Sequence, residues 1–234
     1  MDTKVKFMFQ NILNLFFPKI CSGCSNILSE KEGFICLTCR HNLPLTTDLL
    51  LIENESYKKF YGRLPLQHAS SMLSYYKEGI VQKLIHNLKY KNHQEIGTTL
   101  GFWYAEDLKN IPSLQDVDYI IPVPLHKKRF ASRGYNQIFS FSTAIADVLQ
   151  VKFEPNILER LEFADMQAKK NFINRNAISE NTFVANFNAA NHNKHFLIVD
   201  DVLTTGATLE ACGKAILKIP GAKISLVCIA MSKI

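Results

Sequence analysis

The sequence predicts an α/β protein, in which helices flank a parallel sheet and a small cysteine-rich module comes first. Apolar runs alternate with segments of helical periodicity from about residue 68 onward, and that alternation is typical of parallel sheets. Two Cys-x-x-Cys pairs precede this region. A chain of 234 residues with 47% hydrophobic composition can bury one core and carry a small appendage. The net charge of +6 is compatible with an anionic partner, but does not by itself indicate nucleic acid.

The N-terminal segment is the first element in order. Gln10, Asn11 and Asn14 interrupt its apolar run and no small-residue cleavage site follows, so we do not interpret it as a signal peptide. Its helical spacing predicts an amphipathic helix packed on a neighbouring domain or, alternatively, on a membrane surface. The apolar residues at that spacing are Met8, Ile12, Leu15 and Phe16. No stretch approaches the roughly 18 uninterrupted apolar residues of a spanning helix, and we expect a cytoplasmic protein with no membrane span.

The cysteine-rich module contains the pairs Cys21/Cys24 and Cys36/Cys39, separated by eleven residues. Each Cys-x-x-Cys turn directs two thiolates at one centre, and two such turns complete the four-sulfur shell that Zn²⁺ prefers. Two disulfides are disfavoured in a cytoplasmic chain, and a redox pair is disfavoured because no βαβ unit surrounds it. We expect a structural zinc ion that holds residues 20–45 and performs no chemistry, since a closed four-sulfur site leaves no position for substrate.

The remaining elements follow from composition and periodicity. Residues 46–67 are polar and charged, which predicts a connector between a module at 1–45 and a main domain at 68–234. Strands are predicted at 68–76, 119–123, 196–199 and 224–230, the last two joined by a helix as a βαβ unit. Further helices are predicted around Ile80, Leu84, Ile85 and Leu88, around Ile96, Leu100, Trp103 and Tyr104, and around Ile138, Phe141, Ile145, Val148 and Leu149.

The sharpest motif spans residues 196–208, where a buried strand, two carboxylates and a Thr/Gly loop precede a helix. Ligands bind beyond the carboxyl ends of parallel strands, where Asp200 and Asp201 can accept hydrogen bonds from ribose hydroxyls. Backbone N–H groups at a helix N-terminus favour a phosphate, and Gly206 lets the chain approach it closely. The motif suits a sugar phosphate; the alternative is a plain helix cap. The predicted ligand-binding residues are Val202, Leu203, Thr204, Thr205, Gly206, Ala207 and Thr208.

A second candidate site is the basic loop at residues 122–137, which follows another strand. Positive charge there can stabilise a leaving pyrophosphate, a task that Mg²⁺ bridging pyrophosphate and ribose would share. We predict that Arg129 and Arg133 are catalytic together with the two aspartates, and that Lys127 and Lys128 bind substrate. The alternative is a solvated basic face. His126 is predicted to be structural.

A third polar stretch lies between the two βα units and contains Arg160, Gln167, Lys169, Lys170 and Arg175. Such a loop can close over a bound diphosphate and exclude water, which protects an activated sugar from hydrolysis. An ordinary surface loop is the alternative interpretation. We predict that Arg160, Gln167 and Arg175 belong to a closing loop.

Several motifs together resemble the ComF family of competence proteins. They are the double Cys-x-x-Cys head, Leu88-Lys-Tyr90, the Pro-Val-Pro-Leu strand end, Arg133-Gly-Tyr-Asn-Gln137 and the segment 199–208. The resemblance implies a type I phosphoribosyltransferase-like fold with a zinc finger, and an association with the uptake of transforming DNA. It also implies that Asp200 and Asp201 contact ribose directly and magnesium indirectly, through the ligand. Residues 204–208 are implied to hold the 5-phosphate of 5-phosphoribosyl-1-pyrophosphate.

Three functions remain open from the sequence. The first is a phosphoribosyltransferase, whose acceptor no residue identifies. The second is a binding module that senses the sugar diphosphate while its basic surface engages single-stranded DNA or the DNA-uptake machinery, with Phe130 and Tyr135 among the basic residues. The third is a transcriptional regulator, which is disfavoured because no helix-turn-helix segment is evident.

Overall fold

The computed structural model describes residues 18–161 and 182–233. Its centre is a five-stranded sheet in the order β1-β7-β6-β2-β3, and every neighbouring pair of strands is parallel. These strands are β1 (Leu66–Tyr75), β2 (Tyr119–Pro122), β3 (Lys152–Phe153), β6 (His195–Leu203) and β7 (Lys223–Ser232). Two further strands, β4 (Leu158–Arg160) and β5 (Phe183–Ala185), form an antiparallel ribbon. The predicted parallel α/β fold is confirmed.

Seven α-helices lie in the described residues. They are α1 (Leu37–His41), α2 (Glu55–Lys58), α3 (Ile80–Tyr90), α4 (Gln94–Leu108), α5 (Lys127–Arg133), α6 (Phe139–Leu149) and α7 (Ala207–Ile216). The apolar periodicities predicted α3, α4 and α6, and the helix of the βαβ unit is α7. No helix in the described part of the chain is long and apolar enough to span a membrane. The apolar repeat at residues 8–16 lies outside the described residues.

The core is divided between the two faces of the sheet, as alternation along the central strand requires. Leu197 and Val199 of β6 pack into one cluster with α3, α4, α6 and the cysteine module. Phe196 and Ile198 of β6 point to the other face and pack with α7 and the ribbon. Both faces are covered, and β6 is therefore apolar without interruption from Phe196 to Val199, as parallel strands in such folds are.

The segment predicted as a connector is folded onto the sheet. It contains α2 and buries Phe60 together with several polar side chains. The Asp48 carboxylate accepts a hydrogen bond from the backbone N–H of Ser71 at 3.0 Å, and Nδ2 of Asn54 donates to the carbonyl of Ala69 at 2.8 Å. Polar composition did not distinguish solvated side chains from side chains bonded inside the fold. The boundaries predicted at residues 45 and 67 stay predictions.

Candidate functional site

The two carboxylates lie at the carboxyl end of β6, between the neighbouring strands β7 and β2. The sequence placed them in a loop after Val199, but the strand continues to Leu203, and Asp200 stands opposite Cys228 in the ladder with β7. The ladder fixes the backbone of both residues. Both carboxylates are therefore attached to strand backbone and not to a loop.

Asp201 is buried and takes part in two polar contacts. Its Oδ2 lies 2.9 Å from Nζ of Lys89, at the end of α3, and accepts a hydrogen bond of 2.6 Å from Nε2 of Gln137. Oε1 of Gln137 in turn accepts a hydrogen bond of 2.7 Å from the guanidinium of Arg133. Each of these four linked side chains thus has a polar partner, as a buried carboxylate and its neighbours require.

Asp200 has a different environment although it is the neighbouring residue. Burial and the nearby charge of Asp201 raise the pKa of Asp200 to about 7, while the cations of Lys89 and Arg160 oppose that rise. Its Oδ1 accepts a hydrogen bond of 2.8 Å from the backbone N–H of Asp201. A carboxyl group whose pKa lies near neutrality can give or take a proton at physiological pH, and such groups are frequent at functional sites.

The Thr/Gly loop leads directly from β6 into α7. Thr204 and Thr205 are exposed, and Gly206 has φ +81° at the N-cap of the helix. A Cβ on Gly206 would lie 2.9 Å from a ring carbon of Phe60, so both its conformation and its contact need glycine. Thr204 and Thr205 thus carry exposed hydroxyls just before the N-terminus of α7, where backbone N–H groups favour an anion.

Residues of the segment before β1 contact this loop and hold it against α7. Nε of Arg63 donates to the carboxylate of Glu210 at 2.8 Å, and Nη1 donates to the carbonyl of Thr205 at 3.0 Å. Glu210 lies in the first turn of α7, so one guanidinium fixes the loop to the helix that follows it. Phe60 supplies the surface on which Gly206 rests.

The predicted basic loop is a short helix, α5. His126 caps it, because Nδ1 of His126 accepts a hydrogen bond from the N–H of Lys128 at 3.2 Å, and this agrees with the structural role predicted for His126. The helix has no buried residue. Arg133, at its last turn, bonds Gln137 and stacks on the ring of Tyr90 at 4.7 Å. Among the described contacts, none joins Lys127 or Lys128 to the carboxylates.

Arg160 lies at the end of β4, in the antiparallel ribbon. Its guanidinium stacks on the ring of Phe183 at 5.4 Å. Burial, and then the charge of Arg129, lowers the pKa of Arg160, while Asp200 opposes that change. The structure thus brings Arg160, Arg129 and Asp200 into one electrostatic neighbourhood. Gln167 and Arg175, the other predicted residues of a closing loop, lie outside the described residues.

The four cysteines of the N-terminal module converge on one centre. The Sγ atoms of Cys21, Cys24, Cys36 and Cys39 all lie within 4.8 Å of one another. Those of Cys24 and Cys36 are 3.7 Å apart, which agrees with the spacing of about 3.8 Å in a tetrahedral site with Zn–S distances of about 2.3 Å. Although burial opposes ionisation, backbone N–H groups, with that of Cys36 foremost, lower the pKa of Cys21 to about 6. The donor set fits a structural zinc ion.

Two further cysteines lie outside the N-terminal module. Cys212 on α7 and Cys228 on β7 are buried, and burial raises the pKa of both thiols well above the ordinary value. Neither is a nucleophile at neutral pH.

Sequence reasoning missed the roles of Lys89, Gln137, Arg63 and Phe60. Lys89 and Gln137 stood within the motifs that carried the family resemblance, and those motifs were the only signal. Arg63 and Phe60 lay in the predicted connector and gave no signal. All four act on the site across long sequence separations, 147 residues for Arg63 and Glu210.

Comparison with known proteins supports the family resemblance. The chain is 28% identical to Competence protein F of Haemophilus influenzae over 219 residues, 88% of each chain. It is 27% identical to DNA utilization protein YhgH of Escherichia coli, over 90% of this chain and 89% of the relative, and 25% identical to Competence protein ComFC of Bacillus subtilis, over 86% and 78%. No family model matches the chain.

Solved structures with a similar arrangement include phosphoribosyltransferases. The purine phosphoribosyltransferase of Pyrococcus horikoshii covers 58% of this chain and 73% of its own at 19% identity, with a TM-score of 0.37. The adenine phosphoribosyltransferase of Trypanosoma brucei covers 71% and 84% at 13% identity, with a TM-score of 0.41. At these TM-scores the superpositions carry no argument about activity.

Proposed function

Because the chain resembles the ComF competence proteins along nearly its whole length, we propose that it binds 5-phosphoribosyl-1-pyrophosphate with Mg²⁺ at the carboxyl end of β6. The observation that carries the proposal is the continuous segment 200–208, in which two carboxylates on β6 lead into the exposed Thr204 and Thr205 at the N-terminus of α7. This order suits a ribose followed by a monoester phosphate. The reaction class is phosphoribosyl transfer to an acceptor that no residue identifies.

The 5-phosphate is assigned to residues 204–208. Their backbone N–H groups and hydroxyls lie at the positive end of the α7 dipole, which favours a phosphate dianion. Arg63 and Phe60 hold the loop in shape before the ligand arrives, so little conformational entropy has to be lost on binding. Gly206 adopts the left-handed conformation that begins α7, and the absence of a side chain makes room for Phe60 beneath the loop.

The ribose hydroxyls are assigned to Asp200 and Asp201. Carboxylate oxygens accept hydrogen bonds from vicinal hydroxyls, and they are also the hard donors that Mg²⁺ prefers, so both residues fit a site that holds the ion through the ligand. Bound Mg²⁺ supplies charge neutralisation at the diphosphate. Asp201 is oriented by Lys89 and Gln137, whereas Asp200 is the group whose protonation changes near pH 7.

The leaving pyrophosphate is assigned to the cationic side of the pocket. In the proposed reaction the C1–oxygen bond to pyrophosphate breaks, the acceptor's lone pair forms the new bond to C1, and the acceptor loses a proton. Negative charge accumulates on pyrophosphate as this bond breaks, and nearby cations stabilise it. We assign this role to Arg129 and Arg133 of α5 and to Arg160 of β4. Lys127 and Lys128, also on α5, are assigned as substrate-binding groups.

The biological setting is proposed from the relatives' names. Proteins named for competence and DNA utilization align over 86–90% of this chain. We assign the chain to the handling of DNA during natural transformation. The proposed compartment is the cytoplasm, where a four-cysteine site stays reduced and available to zinc.

The decisive experiment is calorimetric titration of the zinc-loaded protein with phosphoribosyl pyrophosphate and Mg²⁺. We expect saturable binding that the double variant Asp200→Asn/Asp201→Asn loses. The matched control is Asp107→Asn/Asp147→Asn, which removes two exposed helix carboxylates elsewhere and is expected to bind as the wild type does. Absence of binding by the intact protein would refute the ligand, and equal binding by both double variants would refute the site.

A second candidate function is supported by exposed aromatic rings among the cations. Phe130 on α5 is 49% exposed and Tyr90 is 63% exposed, beside Lys127, Lys128 and Arg133. Bases of single-stranded DNA stack on such rings while the cations contact phosphates. Binding of a fluorescent oligothymidylate that weakens with salt, is lost in Phe130→Ala and survives Asp200→Asn/Asp201→Asn would favour a non-catalytic DNA-binding factor.

A further inference from the structure

Helix α3 has the four-cysteine module on one side. The first Cys-x-x-Cys turn lies along this face, where Nδ2 of Asn87 donates a hydrogen bond of 3.0 Å to the carbonyl of Ser22. A Cβ on Gly23 would lie 3.1 Å from both the Sγ of Cys39 and the Cγ2 of Ile80, so turn and helix approach as closely as a glycine permits. The metal-binding turn and α3 are therefore in direct contact.

Buried apolar side chains of the module and of α3 belong to one cluster. Cys21 and Cys39 belong to the same buried cluster as Leu84 and Leu88 of α3. Each of these four residues is at most 4% exposed, so no water layer separates the cysteines from the helix. Closely packed interiors transmit displacements because they have few voids to absorb them.

The last turn of α3 contacts the proposed ligand pocket through three successive residues. The carbonyl of Leu88 accepts a hydrogen bond of 2.6 Å from the hydroxyl of Tyr135, and Nζ of Lys89 lies 2.9 Å from the carboxylate of Asp201. The ring of Tyr90 lies under the guanidinium of Arg133. The position of this one turn thus affects both the carboxylates and the segment after α5.

We infer that α3 couples the four-cysteine site to the ligand pocket, with Lys89 as the positioning residue that orients Asp201. Asn87, which bonds the metal-binding turn, precedes Lys89 by two residues on a single helical turn. A shift of the cysteine module therefore moves the Lys89 backbone directly. A lysine side chain loses much rotamer freedom to keep one ion pair, so further displacement of its backbone weakens that pair.

The inference deepens the proposed function and rests on it only for the identity of the ligand. A merely structural module would lower the stability of the chain when disturbed and leave the affinity of the folded, zinc-loaded protein unchanged. A coupled module changes that affinity. The two roles are therefore distinguished by binding measurements on variants that still hold zinc.

The test compares two asparagines with the same type of bond. Asn87→Ala removes the amide that bonds the carbonyl of Ser22, whereas the control Asn110→Ala removes an amide that bonds the carbonyl of Glu106 at the exposed end of α4. Zinc content per chain is measured first for both. We expect Asn87→Ala to bind phosphoribosyl pyrophosphate and Mg²⁺ about threefold to tenfold more weakly, and Asn110→Ala to match the wild type.

Substitution of the positioning residue itself gives the second arm. Lys89→Met keeps the length of the side chain and removes the charge, and the expected loss of affinity is on the order of 10- to 100-fold. Lys89→Arg restores a cation and is expected to recover part of that loss. Failure of arginine to improve on methionine would overturn the orienting role.

Hydrogen exchange supplies a readout that needs no ligand. In zinc-loaded Asn87→Ala we expect faster amide exchange in peptides covering residues 88–91 and 133–139, with no change in Asn110→Ala. If the wild type binds no phosphoribosyl pyrophosphate, the proposed ligand fails, and exchange alone then decides the coupling. Unchanged exchange at 133–139 in Asn87→Ala, or unchanged affinity where the wild type binds, overturns the inference.

Discussion

Asp200 and Asp201 show how neighbouring identical residues acquire different chemistry on one strand. Successive side chains of a strand point to opposite faces. Asp201 meets Lys89 and Gln137 on its face, and these groups stabilise its charge. Asp200 lies on the other face, is half-buried, and has its pKa raised to about 7 by burial and by the charge of Asp201. The pair thus combines a carboxylate held by two side chains with a carboxyl group whose pKa is raised to about 7.

The raised pKa of Asp200 predicts a pH-dependent penalty on folding. The folded state binds this proton more tightly than the unfolded chain does. The proton therefore adds to the free energy of unfolding at low pH, and this contribution is lost as pH rises through about 7. Asp200→Asn should therefore raise the free energy of unfolding by about 2 kcal/mol at pH 8 and have little effect near pH 4. Urea unfolding of both proteins at the two pH values measures this difference.

Asp116→Asn is a control for which the opposite change in stability is expected at pH 8. Hydrogen bonds from Lys223 and His195 lower the pKa of Asp116 to about 2, so its carboxylate stabilises the fold above the pKa of the unfolded chain and loses that effect as pH falls. Its removal is expected to destabilise the protein at pH 8. Equal pH profiles for the two variants would contradict the electrostatic description of Asp200.

At the scale of elements, the segment before β1 contacts the Thr/Gly loop, residues 204–206, which we propose as the phosphate site. The segment contributes Arg63 to Glu210 on α7 and to the carbonyl of Thr205, and it contributes Phe60 beneath Gly206. Its polar side chains are bonded to β1, as Asn54 and Asp48 show. The loop is therefore braced by an element that comes long before it in sequence.

Arg63→Met tests this brace. The substitution keeps an apolar stem and removes the guanidinium, so the Thr205 carbonyl and Glu210 lose a shared partner. We expect about fivefold to tenfold weaker binding of phosphoribosyl pyrophosphate, together with a loss of roughly 1 kcal/mol of stability. Calorimetry and urea unfolding measure the two effects.

Lys109→Met is the matched control for Arg63, because it also removes a cation from an ion pair. Its pair with Glu106 is exposed and lies on α4, so the expected changes in affinity and stability are small. Equal losses of affinity in the two variants would show that the Arg63 brace has no specific effect on the loop.

At the scale of the whole molecule, the four-cysteine module is part of one apolar core. Phe34 and Ile35 pack in the same cluster as residues of α3, α4 and α6, and Arg40 stacks on Trp103 at 4.4 Å. A module that shares its core with the sheet cannot unfold without exposing part of that core. Metal binding should therefore stabilise the chain as a unit.

Removal of zinc tests whether the cysteine module and the sheet unfold together. Chelation is expected to lower a single thermal transition by roughly 10 °C, because the loss of a structural metal costs several kcal/mol in one cooperative unit. Differential scanning calorimetry measures it, and a chelator saturated with Zn²⁺ beforehand serves as the control. A separate low-temperature transition with the main transition unmoved would show that the module folds independently.

The sequence by itself determined the features that depend on neighbouring residues. The spacing of Cys21, Cys24, Cys36 and Cys39 defined the metal site, since each pair is held by one local turn. Apolar periodicity predicted β6 and α7, and with them the order of carboxylates, loop and helix in the segment 200–208. The family resemblance was carried by the same short motifs.

Only the tertiary structure decided which distant groups complete the site. Lys89 and Gln137 reach Asp201 because α3 and the segment after α5 meet the end of β6, and Arg63 reaches Glu210 across 147 residues. Such contacts arise from the packing of elements, which local periodicity does not encode. The burial of Asp48 and Asn54 could not be predicted from the sequence for the same reason. Whether a polar side chain contacts water or a protein partner depends on what packs over it.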